Sequence, residues 1–103
     1  MTVKPGPDCT NMAEVRAGVD ALDRELVALL RRRFDYMDAA ARIKPERSAV
    51  RDERRKAEVI ANARAAAEAA GLPGAAIAEL WDRLVEASIA YELQAFDARV
   101  TAS

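Results

Sequence analysis

Met12 to Lys44 reads MAEVRAGVDALDRELVALLRRRFDYMDAAARIK, and the apolar steps within it decide the fold. Met12, Val15, Val19, Leu22, Leu26 and Leu29 follow the three- and four-residue steps of an apolar helical stripe. Continued, the same steps arrive at Arg33, Tyr36, Ala40 and Ile43. A guanidinium therefore falls on the stripe, and Lys44 follows 11 residues later. At about 100° per residue, Lys44 comes to within roughly 20° of Arg33, about 16 Å further along the axis. The two cations share a face. Arg16 lies 17 residues before Arg33, about 25 Å away along the axis. No small ligand held by Arg33 reaches Arg16 of the same helix. Either Arg16 is an ordinary solvated charge, or an antiparallel second copy of the helix brings its own Arg16 to the site.

A helix of this length would run roughly 50 Å, whereas a compact domain of this size has a radius of gyration of about 13 Å. Its stripe needs a partner helix, and the expectation is an obligate homodimer. The 103 residues make one domain, with hydrophobic residues at 51% but aromatic ones at only 5%. That profile favours close helix packing over a thick aromatic core. Net charge is −1, which argues against nucleic acid as a partner. The chain has no His and one Cys, Cys9. This removes His-based proton shuttling, a Ser–His or Cys–His nucleophile, zinc-type ligand sets and an intrachain disulfide. Cys9 reads as a bystander. No run is apolar enough for a signal peptide or membrane span, so the expected location is cytoplasmic.

Ahead of the long helix, Lys4-Pro5-Gly6-Pro7 predicts an extended or frayed arm over residues 1–11. Thr10 or Asn11 can cap the helix, and Pro45 ends it. Pro45 to Arg51 reads as a short charged connection; Lys44, Arg47, Arg51, Arg54, Arg55 and Lys56 crowd this region. Asp52 is the N-cap candidate for a second helix, Glu53 to Ala70, packing through Val59, Ile60, Ala63, Ala66, Ala67 and Ala70. Gly71-Leu72-Pro73-Gly74 closes that helix. A third helix, from about Ala75 to Ala98, has Ile77, Leu80, Trp81, Leu84, Val85, Ile89 and Phe96 on its apolar side. The predicted class is all-α, three helices in one domain over 12–98, with a short tail at 99–103.

Two polar groups break the third helix's packing row of Trp81, Val85, Ser88, Glu92 and Phe96. A buried charge without a partner is costly. Glu92 and Arg33, both on stripes expected to be buried, therefore call for an explanation. Either they pair with each other or with surface groups, or they line a pocket together with Lys44, Asp52, Arg55 and Ser88. A pocket with several cations and one carboxyl suits a small molecule bearing two carboxylates. The chemistry it can run without His, metal or cofactor is a reaction needing only a fixed conformation and stabilisation of developing charge. An intramolecular pericyclic rearrangement of a dianion is one such reaction.

The ordered set now resembles a known family. Val15-Arg16-Ala17-Gly18-Val19-Asp20-Ala21-Leu22-Asp23, Leu29-Leu30, Arg33 and Ile43-Lys44 are similar to the first helix of the all-helical chorismate mutases. Val50-Arg51-Asp52 with Arg55 resembles the start of their second helix, and Ser88 and Glu92 fall where the third carries a Ser and a Gln or Glu. The resemblance implies an intertwined homodimer with two composite sites, each receiving Arg16 from the partner chain. It implies that Arg16 and Arg33 grip the two substrate carboxylates, and that Lys44 contacts the ether oxygen and a carboxylate. Asp52 would accept from the ring hydroxyl, near the backbone of Arg55, and Arg55 would help bind the side-chain carboxylate. Ser88 would line the site and Glu92, protonated, would donate to the ether oxygen. Lys56 stands where some members carry a Glu that touches the ring hydroxyl. Asp8-Cys9-Thr10 and Phe34-Asp35-Tyr36-Met37 resemble the isochorismate-pyruvate lyase branch of the same fold, whereas Asp52 and Ser88 resemble the mutases. The reading favours the mutase, with the lyase next and a helical dimerisation module, whose internal charges only set register, as the non-enzyme alternative.

Overall fold

A computed structural model describes residues 3–102. Three α-helices, α1 (Met12–Ile43), α2 (Glu53–Ala69) and α3 (Gly74–Ala102), are joined with two 3-10 turns, Gly6–Asp8 and Arg47–Ala49. Among the described residues there is no strand. The all-α, three-helix class read from the sequence is the observed one. By its internal contacts the chain divides into two compact units, between Asp35 and Tyr36.

In the first unit, Asn11 caps α1: its side-chain oxygen accepts from the Glu14 amide at 2.9 Å. Glu14 answers by accepting from the Thr10 amide and hydroxyl at 2.9 and 2.8 Å. Lys4 pairs with the same carboxylate, and these contacts, Lys4 first, hold the Glu14 carboxyl below its ordinary range. Of the arm expected over residues 1–11, residues 1 and 2 lie outside the described residues, and the rest carries one short turn. Asp8 and Cys9 donate back to the Pro5 and Gly6 carbonyls, a single turn that prolines tolerate because no N–H of theirs is needed. The arm then lies over α1 at Gly18, where a Cβ would meet Val3 Cγ1 at 3.5 Å and the Lys4 carbonyl at 3.8 Å. The stripe itself is bare. Met12, Val15, Val19, Leu22, Leu26 and Leu29 are each between 37 and 58% exposed.

In the second unit, Pro45 follows the last turn of α1, and Lys44 still donates its amide to the Ala40 carbonyl at 2.9 Å. The connection coils once at Arg47–Ala49 and drops Val50 into the core. Val50, Val85 and Ile89 form that core, with Val59, Ile60 and Leu93 packed against it. Asp52 caps α2, accepting from the Arg55 amide at 3.0 Å. The α2 packing face is narrower than expected: Ala67 is buried and Ala63 half-buried, but Ala66 and Ala70 are exposed. A helix packed chiefly against one neighbour, here α3, covers only a thin stripe. Leu80 is exposed for the same reason. Gly71, at φ +78°, ends α2; its amide bonds the Glu68 carbonyl and that of Leu72 bonds Ala67. No described helix is long and apolar enough to cross a membrane.

Candidate functional site

On α3, the row of Trp81, Val85, Ser88, Glu92 and Phe96 faces inward, half-buried at Trp81 and buried at the other four. The carboxyl that the sequence puts among apolar neighbours is 4% exposed. Its compensation comes from the end of α1: Lys44 Nζ donates to Glu92 Oε2 at 2.8 Å. The same ammonium donates to the Val50 carbonyl at 3.4 Å. Lys44 is thereby held by one charged and one backbone acceptor, with its third N–H available. One turn before Glu92, Ser88 donates its hydroxyl to the Leu84 carbonyl at 2.7 Å. The bond satisfies the buried hydroxyl proton.

Asp52 lies two residues beyond Val50, exposed, with one oxygen engaged as the α2 cap. A carboxylate accepts through two oxygens, so the cap does not exhaust it. Arg55, expected to bind a substrate carboxylate, is exposed and paired with Glu58, one turn on. Arg16 and Arg33 belong to the α1 segment of the first unit, Arg16 exposed and Arg33 half-buried. Of the seven residues singled out, the structure puts Lys44 in contact with Glu92, sets Ser88 one turn away on the same buried row, and fixes Asp52 by its bond to Arg55.

Lys56 turns to α3, its ammonium donating to Glu86 at 2.7 Å and pairing with Asp82 at 3.0 Å. Arg51 grips Glu86 through both terminal nitrogens, at 2.8 and 3.1 Å, and reaches Glu53 at 2.8 Å. These contacts, Arg51 first and Lys56 next, pull the Glu86 carboxyl down to about 2 from its ordinary 4.5. Arg47 holds Asp97 in the same two-pronged way, at 2.9 and 3.2 Å. Sequence reasoning missed Glu86, Asp82 and Asp97. They are surface charges whose partners lie 26 to 50 residues away, and no periodic pattern marks them.

The first unit holds a cleft of about 350 Å³ between the arm and α1, lined by Val3, Pro5, Val15, Val19 and Leu22 among others. Its ionisable lining is Lys4, Cys9 and Glu25, with no guanidinium. It is a poor receptacle for a dianion.

Comparison with known proteins shows the family. Residues 15–93 match the family described as chorismate mutase type II. The chain belongs to that family. The chain is also 30% identical over 92 residues to the isochorismate pyruvate lyase of Pseudomonas aeruginosa, an alignment covering 89% of this chain and 91% of that protein.

Proposed function

We propose that the chain is a chorismate mutase, converting chorismate to prephenate in composite sites of a homodimer. The rearrangement breaks one carbon–oxygen bond as it forms one carbon–carbon bond within the same molecule. No nucleophile, metal or cofactor is called for. The protein must fix the reactive conformation and stabilise charge gathering on the departing ether oxygen. The observation that carries this reading is the Lys44–Glu92 pair, 2.8 Å apart, its carboxyl sunk among apolar side chains. Charged donors are strongest where water is excluded.

In this reading Lys44 turns its free donor to the ether oxygen and a carboxylate, and Glu92, ion-paired with Lys44, holds that ammonium beside the same oxygen. Asp52 accepts from the ring hydroxyl with the oxygen that the helix cap leaves over, and Ser88 lines the wall. Arg33, with Arg16 of the partner subunit, grips the two carboxylates, and Arg55 leaves Glu58 to assist. Lys56, committed to Asp82 and Glu86, takes no part in ring-hydroxyl binding. The bare stripe of α1 supports the dimer that the composite site requires.

One observation favours a second activity: the Pseudomonas relative is an isochorismate pyruvate lyase. A lyase would yield salicylate and pyruvate from isochorismate. Asp52 and Ser88 tip the choice to the mutase. The test is to incubate the pure protein with chorismate and, separately, with isochorismate, and to identify the products. Prephenate from chorismate as the faster reaction is expected. Salicylate and pyruvate as the dominant products reverse the assignment, and no turnover of either defeats it.

A further inference from the structure

The connection between α1 and α2 contributes a single buried residue, Val50. It is nonetheless fastened to α3 at two points. Arg47 binds both oxygens of Asp97, and Arg51 binds both oxygens of Glu86. Glu86 and Asp97 are 11 residues apart on one helix, so they share a face within roughly 20° and stand about 16 Å apart along its axis. Ser88 and Glu92 fall between them in sequence. One two-pronged contact fixes a point and leaves a strap free to pivot about it; two separated contacts fix its direction as well.

The strap is bounded by groups that the proposed reaction uses. Lys44 stands at its entry, the Val50 carbonyl that holds the Lys44 ammonium in its middle, and Asp52 at its exit. We propose that Glu86 and Asp97 are positioning residues: as paired clamps on Arg51 and Arg47, they hold the strap so that Lys44 and Asp52 keep the geometry substrate needs. This rests on the mutase-type reading above. Neither carboxylate belongs to the buried row of α3, and their side chains are 42 and 51% exposed. Exposed ion pairs add little to global stability, so loosening them shows chiefly in local opening of the strap, with only a small change in global unfolding. Lys56, the second partner of Glu86, ties the first turn of α2 to the same anchor.

An open strap removes a fraction of molecules from the binding-competent state, and the apparent affinity falls by that fraction while bound molecules react normally. The experiment pairs Glu86→Gln with Asp97→Asn in the full-length chain. It reads amide hydrogen exchange at Ala49 and Val50, whose N–H groups bond the Glu46 and Arg47 carbonyls at 3.1 Å, and then KM and kcat. Exchange at these two amides should quicken by about tenfold, with KM raised about tenfold and kcat within about twofold of wild type. Single substitutions should fall between. The charge-swapped pair Arg47→Asp with Asp97→Arg should return exchange and KM most of the way to wild type, which a merely steric role would not do.

Unchanged exchange in the double variant overturns the clamp. Faster exchange with an unchanged KM overturns the positioning role. Failure of the functional reading looks different: the wild-type chain turns over neither chorismate nor isochorismate, while exchange at Ala49 and Val50 still reports on the clamp.

Discussion

Lys44 and Glu92 reach each other across 48 positions of sequence, and each makes the other's place tenable. Lys44→Met leaves the Glu92 carboxyl 4% exposed among apolar side chains with no cation beside it. It should cost about 3 kcal/mol in denaturant unfolding and lower kcat/KM at least about 100-fold. Glu92→Gln keeps the shape and offers an N–H, so turnover should survive, whereas Glu92→Ala should lose about 100- to 1,000-fold. Equal activity of the Gln and Ala variants would remove Glu92 from the reaction. The sequence made Glu92 conspicuous because a carboxyl broke an apolar row, and it made Lys44 conspicuous because that residue shares a face with Arg33. The orientation of Arg55 was not legible: a charge on the first turn of an exposed helix has many partners, and Glu58 at one turn's distance is the one it holds. Lys56 was legible as a departure from the family but not as an anchor, since Asp82 and Glu86 lie 26 and 30 residues further on.

The elements were announced by their ends. Asn11, Pro45, Asp52 and Gly71 act through backbone hydrogen bonds that each residue type makes or cannot make, and such signals are local. The arm's approach to Gly18 was not announced, because contact between distant segments leaves no periodic trace. At this scale the join between the α1–α2 connection and α3 can be tested in two ways. Val50→Ala should destabilise the chain by on the order of 2 kcal/mol in urea, since the side chain fills the core between Val85 and Ile89. The second test uses acid. Glu86 has its carboxyl pulled down to about 2 from 4.5 by Arg51 and Lys56, so its contribution to stability is fully present above the unfolded value. That contribution is lost as pH falls through the folded one. The Tm difference between wild type and Glu86→Gln should therefore be constant from neutrality down to about pH 4.5 and close between 4.5 and about 2. A gap that stays open at the acid end would mean that Glu86 acts by shape and not by charge.

For the whole molecule, the stripe on α1 is the feature that asks for company. Leu22 and Leu26 are more than half exposed, at 58 and 55%, which an apolar face of a long helix does not sustain alone in water. The proposed homodimer should be seen by light scattering at micromolar concentration, and Leu26→Asp should abolish it and leave the chain unfolded or poorly soluble. A well-folded wild-type monomer would remove the composite site. If the site is shared, Arg16→Ala and Arg33→Ala are each nearly inactive alone. Co-refolded in equal amounts they should recover about a quarter of wild-type activity, since about half the dimers are mixed and each of these keeps one intact site.

The same bare stripe has a consequence in genetics. In the proposed homodimer, a chain carrying Arg16→Ala and Arg33→Ala together still presents Val19, Leu22 and Leu26 and should still pair. Paired with a normal chain it spoils both sites at once, one by the arginine it fails to lend and the other by the arginine it lacks. Expressed beside an equal amount of normal chain, it should silence about half of the healthy subunits. On the proposed composite site the double-defective chain should therefore act against the normal one, whereas each single defect, paired with the normal chain, should leave one working site per mixed dimer.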